Sequence, residues 1–395
     1  MRIALFNTFY APRFVGGAEV SVQLLAEGLV KEGHTVYVFT IGDVEEKDLI
    51  NGVEIIRLKH RNIFSPYMPE KHNKIISSIW LMLDSFNPFF HKKLARILRK
   101  IKPDVIHTNN VLGFSPAIWR TFKRLKLPLV HTMRDYYLLC HKCNLFNNGK
   151  NCEQLCKPCA ITHQLKKPLV KIPDVLVGVS NFILEKHKQI IKLSPHQKTK
   201  VVYNAVNIPP YSDNRPRADD EIVVGYMGRI STDKGLDYLV EELINLSAKQ
   251  QKQVKLLMAG KGEKAYIKQL EFKLRDIRHV FVGVVSPEEF YKSVDITIVP
   301  SLWQEPFGRV VIESLAHGTP VILSNNGGLS ELHRENCTWL FTPGQKELVS
   351  VVREILENPE IIDQKKQYAI KYAMGFSVER NVKQYLSVYK ELIDL

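Results

Sequence analysis

MRIALFNTFYAPRFVGGAEVSVQLLAEGLVKEGHTVYVFT, residues 1–40, decides the fold. RIALFN is a short apolar run, AEVSVQLLAEGLVKEG repeats its apolar residues at helical spacing, and TVYVFT is a second β-branched run. A helix between two strands is a crossover, and crossovers join parallel strands. The pattern continues through VEIIRL, DVIHTN, LPLVHTM and DVLVGVS. After the polar, proline-bearing stretch Ile208–Glu221 it restarts with IVVGYMG, VKLLMAG, VFVGVV, DITIVP and TPVILS. Such alternation predicts an α/β protein with parallel sheets covered on both faces by helices. With 395 residues, two tandem Rossmann-like domains are expected. They are placed at 1–207 and 222–376, with a linker at 208–221 and a final helix at 377–395.

Charge divides along the same line. Residues 1–215 carry 32 Lys and Arg against 16 Asp and Glu, whereas the remainder carries 23 against 25. A basic first half either meets an anionic surface (lipid, a lipid-diphosphate acceptor or nucleic acid) or is a solvated face. The apolar run from Ile75 is broken by Asp84 and Pro88, short of a membrane span, and Met1–Tyr10 reads as a strand rather than a signal peptide. A cytoplasmic chain is expected.

Parallel sheets bind ligands at the carboxyl ends of their strands, so the residues after each strand matter most. Gly16 and Gly17 precede the first helix, where glycines form either a simple turn or a backbone cradle for an anion. GRISTDKG places Gly228, Arg229 and Lys234 on one loop, and two cations there can neutralise a diphosphate. No DxD acidic pair stands at a strand end, so no catalytic metal is expected. EPFGRVVIE sets Glu305 and Glu313 eight residues apart, suited to a sugar and a ribose, with backbone amides near Phe307 and Gly308 facing the phosphate between them. That spacing predicts a separation of two helical turns, about 11 Å. His107, His131, Asp135, Ser180, Asn181 and Asn204 lie in or after strands of the first domain. The histidines are either core residues or substrate contacts, Ser180, Asn181 and Asn204 are caps or turns by default, and Asp135 is a candidate for an acceptor hydroxyl.

Five cysteines, Cys140, Cys143, Cys152, Cys156 and Cys159, crowd into twenty residues. Two C-x-x-C pairs are the spacing of a structural zinc site, which is the favoured reading over free thiols. Cys337 stands alone as a buried apolar residue.

GGAE with LAEGLVKEGHTV, then GRISTDKG, MAGKGE, VFVG, SLWQEPFGRVVIESLAHGTPVI and NNGGLSEL run in this order over nearly the whole chain. The ordered set resembles the family 4 retaining glycosyltransferases of GT-B architecture. What the resemblance implies is two Rossmann-like domains facing each other across a cleft, a nucleoside-diphosphate sugar donor on the second and a glycan or lipid-linked acceptor on the first. It further implies metal-free transfer with retention, in which a donor phosphate oxygen takes the acceptor proton. Arg229 and Lys234 would hold the diphosphate, Glu313 the ribose and Glu305 the transferred sugar. Gly16, Gly17, Gly228, Gly262, Val284, Phe307, Gly308 and Arg309 complete the implied donor site, and His131 and Asp135 the catalytic set. Relatives carry a His where this chain has Arg134, and some match Cys140, Cys152, Cys156 and Cys159 but not Cys143. The family's usual roles point to bacterial surface polysaccharide or lipid-linked glycan assembly, peripheral to the inner membrane face. Competing readings are an inactive sugar-nucleotide binder and a basic nucleic-acid-binding protein, the latter disfavoured because no RNA or DNA module is present. A Rossmann oxidoreductase lacks its GxGxxG.

Overall fold

Arg2–Phe6 forms β1 with every residue after Arg2 buried, as expected for a strand flanked by partners and covered on both faces. The computed structural model describes residues 1–14, 16–66, 73–210 and 221–394, so most of the expected linker lies outside the described residues. The further strands are β2 Thr35–Gly42, β3 Glu46–Ile50, β4 Val53–Lys59, β5 Val105–Thr108, β6 Leu129–Met133, β7 Phe146–Asn147, β8 Lys150–Asn151, β9 Val175–Gly178 and β10 Lys198–Val201. They are followed by β11 Ile222–Met227, β12 Val254–Ala259, β13 Arg278–Gly283, β14 Ile296–Val299, β15 Val321–Ser324 and β16 Thr338–Phe341.

Two compact units emerge. The first comprises Met1–Leu145, Cys152–Ala205 and Val378–Leu395, and the second Phe146–Asn151 and Val206–Ser377. In the first unit, the described residues form an eight-stranded sheet in the order β10-β9-β6-β5-β1-β2-β4-β3, parallel except for β3. The second has six parallel strands, β13-β12-β11-β14-β15-β16. Strand order therefore reverses at β1/β5 and at β11/β14, where a crevice opens above the sheet. Both units are α/β, as the sequence predicts. The whole cysteine-rich segment was expected in the first domain, but the β7–β8 hairpin within it groups with the second unit.

Helices cover the first sheet through apolar stripes. Gly17–Lys31 buries Val22, Leu25, Ala26 and Leu29, and its first turn is closed by Glu19, whose Oε2 accepts the Gly16 N–H at 2.8 Å. Val378–Ile393 packs on the same core through Val382, Tyr385, Val388 and Tyr389. At its heart, one His107 ring nitrogen meets the Tyr389 hydroxyl and the other the Thr132 hydroxyl, each at 2.7 Å. This puts His107 in the core and burial pushes its imidazole well below the usual range, so it stays neutral.

Tyr389→Phe leaves a buried imidazole nitrogen without its partner and should cost about 1–3 kcal/mol. Calorimetry is expected to show a lowered melting temperature; no change would mean that apolar packing alone seats the final helix.

Candidate functional site

In the second unit the loops after β11 and β14 meet at the strand-order reversal. They come closer than side chains permit. Gly235, at φ +74°, would place a Cβ 1.9 Å from the Pro300 carbonyl oxygen; the loop after β12 comes as near to the one after β11, where a Cβ on Gly260 would lie 1.7 Å from the Gly228 carbonyl oxygen. Lys234 thereby reaches Glu305, with Nζ to Oε1 at 2.9 Å, and sits 4.6 Å above the Trp303 ring. Both charged side chains are more than four-fifths buried. Arg229 lies farther out, donating to Asp233 Oδ2 at 2.7 Å and to the Ser231 hydroxyl at 3.1 Å. Although burial opposes it, the Ser231 hydrogen bond and the Arg229 and Lys234 charges hold the Asp233 carboxyl below the usual range.

Gly308, in the left-handed region at φ +98°, opens the helix Arg309–Ala316, and no side chain caps that end. Helix begins only at Arg309, so the expected two-turn rise from Glu305 to Glu313 does not apply. Glu305 is placed by its loop, and Glu313 lies one turn into the helix, paired with Arg309. Phe307 is buried against Phe376. Gly262 forms a bridge with Ile230 and Val284 is exposed just past β13. The structure thus brings Gly228, Arg229, Lys234, Gly262, Glu305, Phe307, Gly308, Arg309 and Glu313 to the carboxyl-end loops of one sheet.

Gly16, Gly17, His131 and Asp135 belong to the first unit. His131 is buried under Trp119, with Nδ1 3.0 Å from the Thr108 hydroxyl, and burial lowers its pKa to about 3. A neutral, enclosed imidazole is a core residue in this geometry. Burial raises Asp135 to about 6, against a hydrogen bond from the Tyr137 N–H and the charge of Lys166. Close by, Asp84 is also raised to about 6 by burial, while accepting from the Tyr137 hydroxyl at 2.5 Å and the Gly113 N–H at 2.6 Å. Lys166 is buried too and donates to the Tyr137 carbonyl at 2.6 Å. Arg134 bonds Asn109 at 2.8 Å through Nε and Asn204 at 2.5 Å through a terminal nitrogen. Ser180 caps the helix Asn181–Ile190, its default role.

The cysteine segment offers less than its spacing suggests. The Cys159 thiol lies 3.4 Å from Cys140 Sγ and donates to it, which pulls Cys140 down and Cys159 up. Among the described residues no group of three or more His, Cys, Asp or Glu side chains is arranged to hold a metal ion. Burial pushes the Cys143 thiol well up.

Against known families, residues 15–208 match Glycosyltransferase Family 4 and residues 208–374 match Glycosyl transferases group 1. The chain belongs to this glycosyltransferase family. A Klebsiella pneumoniae relative described as an uncharacterized 42.6 kDa protein in the cps region is 35% identical to this glycosyltransferase over 394 residues, 99% of this chain and 100% of that protein. An uncharacterized glycosyltransferase of Methanocaldococcus jannaschii is 29% identical over 91% of this chain and 90% of its own length. Alpha-monoglucosyldiacylglycerol synthase of Streptococcus pneumoniae is 24% identical over 90% and 78%. Among solved structures, sucrose-phosphate synthase from Thermosynechococcus elongatus superposes with a TM-score of 0.76 at 21% identity, covering 100% of this chain and 99% of that one. Anabaena HepE in complex with UDP gives 0.70 at 19%, covering 99% and 100%. These likenesses establish the GT-B fold of this glycosyltransferase.

Residues not singled out from the sequence complete the second unit's site: Trp303 beside Lys234, Asp233 against Arg229, and Asn151, whose amide grips the loop at Leu302 and Gln304; in the first unit, Asn109 holds Arg134. Trp303 and Asp233 stand inside the quoted motifs and could have been noticed. Asn151 carries no such signal.

Burial of neutral imidazoles sets an acid limit for this glycosyltransferase. His131 and His187 have folded pKa values near 3 and 4, below the ordinary 6.5, so their contribution is complete above that value and is lost as pH falls below it. Asp84 acts oppositely. Its folded pKa of about 6 lies above the ordinary 3.8, so the native state holds the extra proton and stability falls as pH rises between these values. Melting temperatures from pH 4 to 7 should show a flatter acid limb in His131→Gln and a steeper one in Asp84→Asn.

Proposed function

We propose that this glycosyltransferase moves a sugar from a nucleoside-diphosphate donor to an acceptor hydroxyl, with retention of anomeric configuration and without a catalytic metal ion. The observation that carries this reading is the largely buried Lys234–Glu305 pair at the β11/β14 reversal, with Arg229 on the same loop as Lys234. Lys234 and Arg229 would stabilise charge on the departing diphosphate, which is the largest electrostatic demand of the reaction. Glu305, oriented by Lys234, would accept hydroxyl protons of the transferred sugar. Phosphate oxygens would lie near the uncapped start of Arg309–Ala316. Glu313, oriented by Arg309, would take the ribose hydroxyls. A donor phosphate oxygen would take the acceptor proton, so no side-chain base is required; the neutral, enclosed His131 is compatible with that.

The acceptor is proposed to be a glycan or lipid-linked glycan of a bacterial surface, held by the first unit. The relative from a cps region and the alpha-monoglucosyldiacylglycerol synthase relative support it, as does the basic first half of the sequence. Among the described residues no helix is long and apolar enough to cross a membrane. Peripheral attachment to an anionic cytoplasmic surface fits that charge.

A thermal-shift panel of UDP, GDP, ADP, CMP and NAD, with and without EDTA, tests the donor reading. A rise is expected with one nucleoside diphosphate, insensitive to EDTA and abolished in Lys234→Ala. No rise with any diphosphate, or a rise with NAD alone, would remove the reading. Glu313→Ala should weaken the bound nucleotide about 10-fold or more and erase its preference over the 2′-deoxyribose form, measured by titration calorimetry.

A further inference from the structure

The segment Ser301–Gln304 has neither helix nor strand of its own, yet it carries Trp303 and leads into Glu305, the two groups that flank Lys234. Irregular backbone at a reaction site has to be held by something else. Of the groups that hold it, three come from separate parts of the chain. The Leu302 and Trp303 N–H groups donate to the Asp233 carbonyl at 3.2 and 3.0 Å. The Asn326 amide donates to the Leu302 carbonyl at 2.7 Å and to that of Ser301 at 3.3 Å. The third is Asn151, at the end of β8. Its Nδ2 donates to the Leu302 carbonyl at 2.8 Å and its Oδ1 accepts the Gln304 N–H at 2.9 Å.

Those last two bonds reproduce one rung of a β ladder with a side-chain amide in place of a strand. They grip the peptide on either side of Trp303. Asp233 and Asn326 lie beside strands of the sheet itself, whereas Asn151 stands about 150 residues before the loop, on a hairpin whose two strands pair only with each other. Its side chain is matched to the loop's backbone, so the match is indifferent to the loop's side chains.

We propose that Asn151 is a positioning residue for sugar recognition, fixing the Trp303–Glu305 backbone so that Glu305 and the Trp303 ring face Lys234 in a single arrangement. The inference rests on the donor reading above and adds a residue to it. Because Asn151 contacts the loop and not the Gly228–Lys234 segment, its loss falls on the sugar end of the donor and spares the nucleoside-diphosphate end. Asn151→Asp separates the two bonds: a carboxylate still accepts the Gln304 N–H but confronts the Leu302 carbonyl with another acceptor.

The test compares wild type, Asn151→Ala and Asn151→Asp by calorimetric titration with UDP and UDP-glucose, or the guanosine pair if only GDP shifts the wild type, alongside melting temperatures. Release of free diphosphate from the sugar nucleotide is measured in parallel. Expected in both variants are a melting temperature within a few degrees of wild type and diphosphate affinity within about threefold. The extra affinity contributed by the sugar, and the rate of diphosphate release, should fall about 10-fold. Equal behaviour of the variants and wild type toward the sugar nucleotide would overturn the role. So would a parallel loss of diphosphate affinity, which marks a general structural effect. A wild type indifferent to every nucleoside diphosphate overturns the donor reading, and this inference with it.

Discussion

The contact of backbone with backbone at Gly235 and Pro300, repeated at Gly260 and Gly228, is the constraint from which the second unit's site follows. Two loops from neighbouring strands pass at a separation that a single methyl group would prevent. Because they pass so closely, a lysine on one can lie alongside an indole and a carboxylate on the other, the carboxylate 71 residues later in sequence. At the start of Arg309–Ala316, no side chain caps the main-chain amides. Amides are fixed dipoles whose reorganisation cost is paid on folding, the condition under which electrostatic stabilisation of a leaving group is most effective.

The two units spend their buried polar groups differently. In the second, Lys234, Glu305, Arg309 and Glu313 are charged groups held in pairs, so each stays poised without an uncompensated charge. In the first, His107 and His131 are kept neutral by burial, whereas Asp84 and Asp135 are drawn toward their protonated forms. Arg134 donates to the side-chain oxygens of two asparagines, Asn109 and Asn204.

Strands buried on both faces are β-branched runs, which is why the central strands of both sheets were legible from sequence alone. β3, by contrast, reads EKDLI at an exposed edge, with charges where an edge strand needs protection from pairing. β10, reading KTKV, hides for the same reason. The loops bearing Arg229, Lys234, Glu305 and Glu313 were readable because glycines and charges cluster after strands. Their partners were not: the Lys234–Glu305 and Arg134–Asn204 pairs depend on which strands become neighbours, a property of the sheet order. Cysteine spacing leaves the ligand set open because C-x-x-C fixes separation along the chain but leaves the direction of each sulfur to the backbone. Cys143 sits at φ +61°, where the chain turns away from a helical or extended path. Histidines in strands were ambiguous for want of burial, which only tertiary structure supplies.

The first unit is discontinuous, and its last piece is the helix Val378–Ile393, whose tyrosines close the core over His107. On a ribosome this has a cost in time. Once Ala205 has been made, all of Val206–Ser377 must follow before that helix exists, roughly 10–35 s at ~5–20 residues per second. During that interval the nascent first sheet keeps an uncovered apolar face beside Val22, Leu25 and Leu29, while the second unit can complete its own sheet. The half that is translated first is thus the half that matures last, and a message cut short anywhere before the final helix yields a chain whose opening sheet is never sealed.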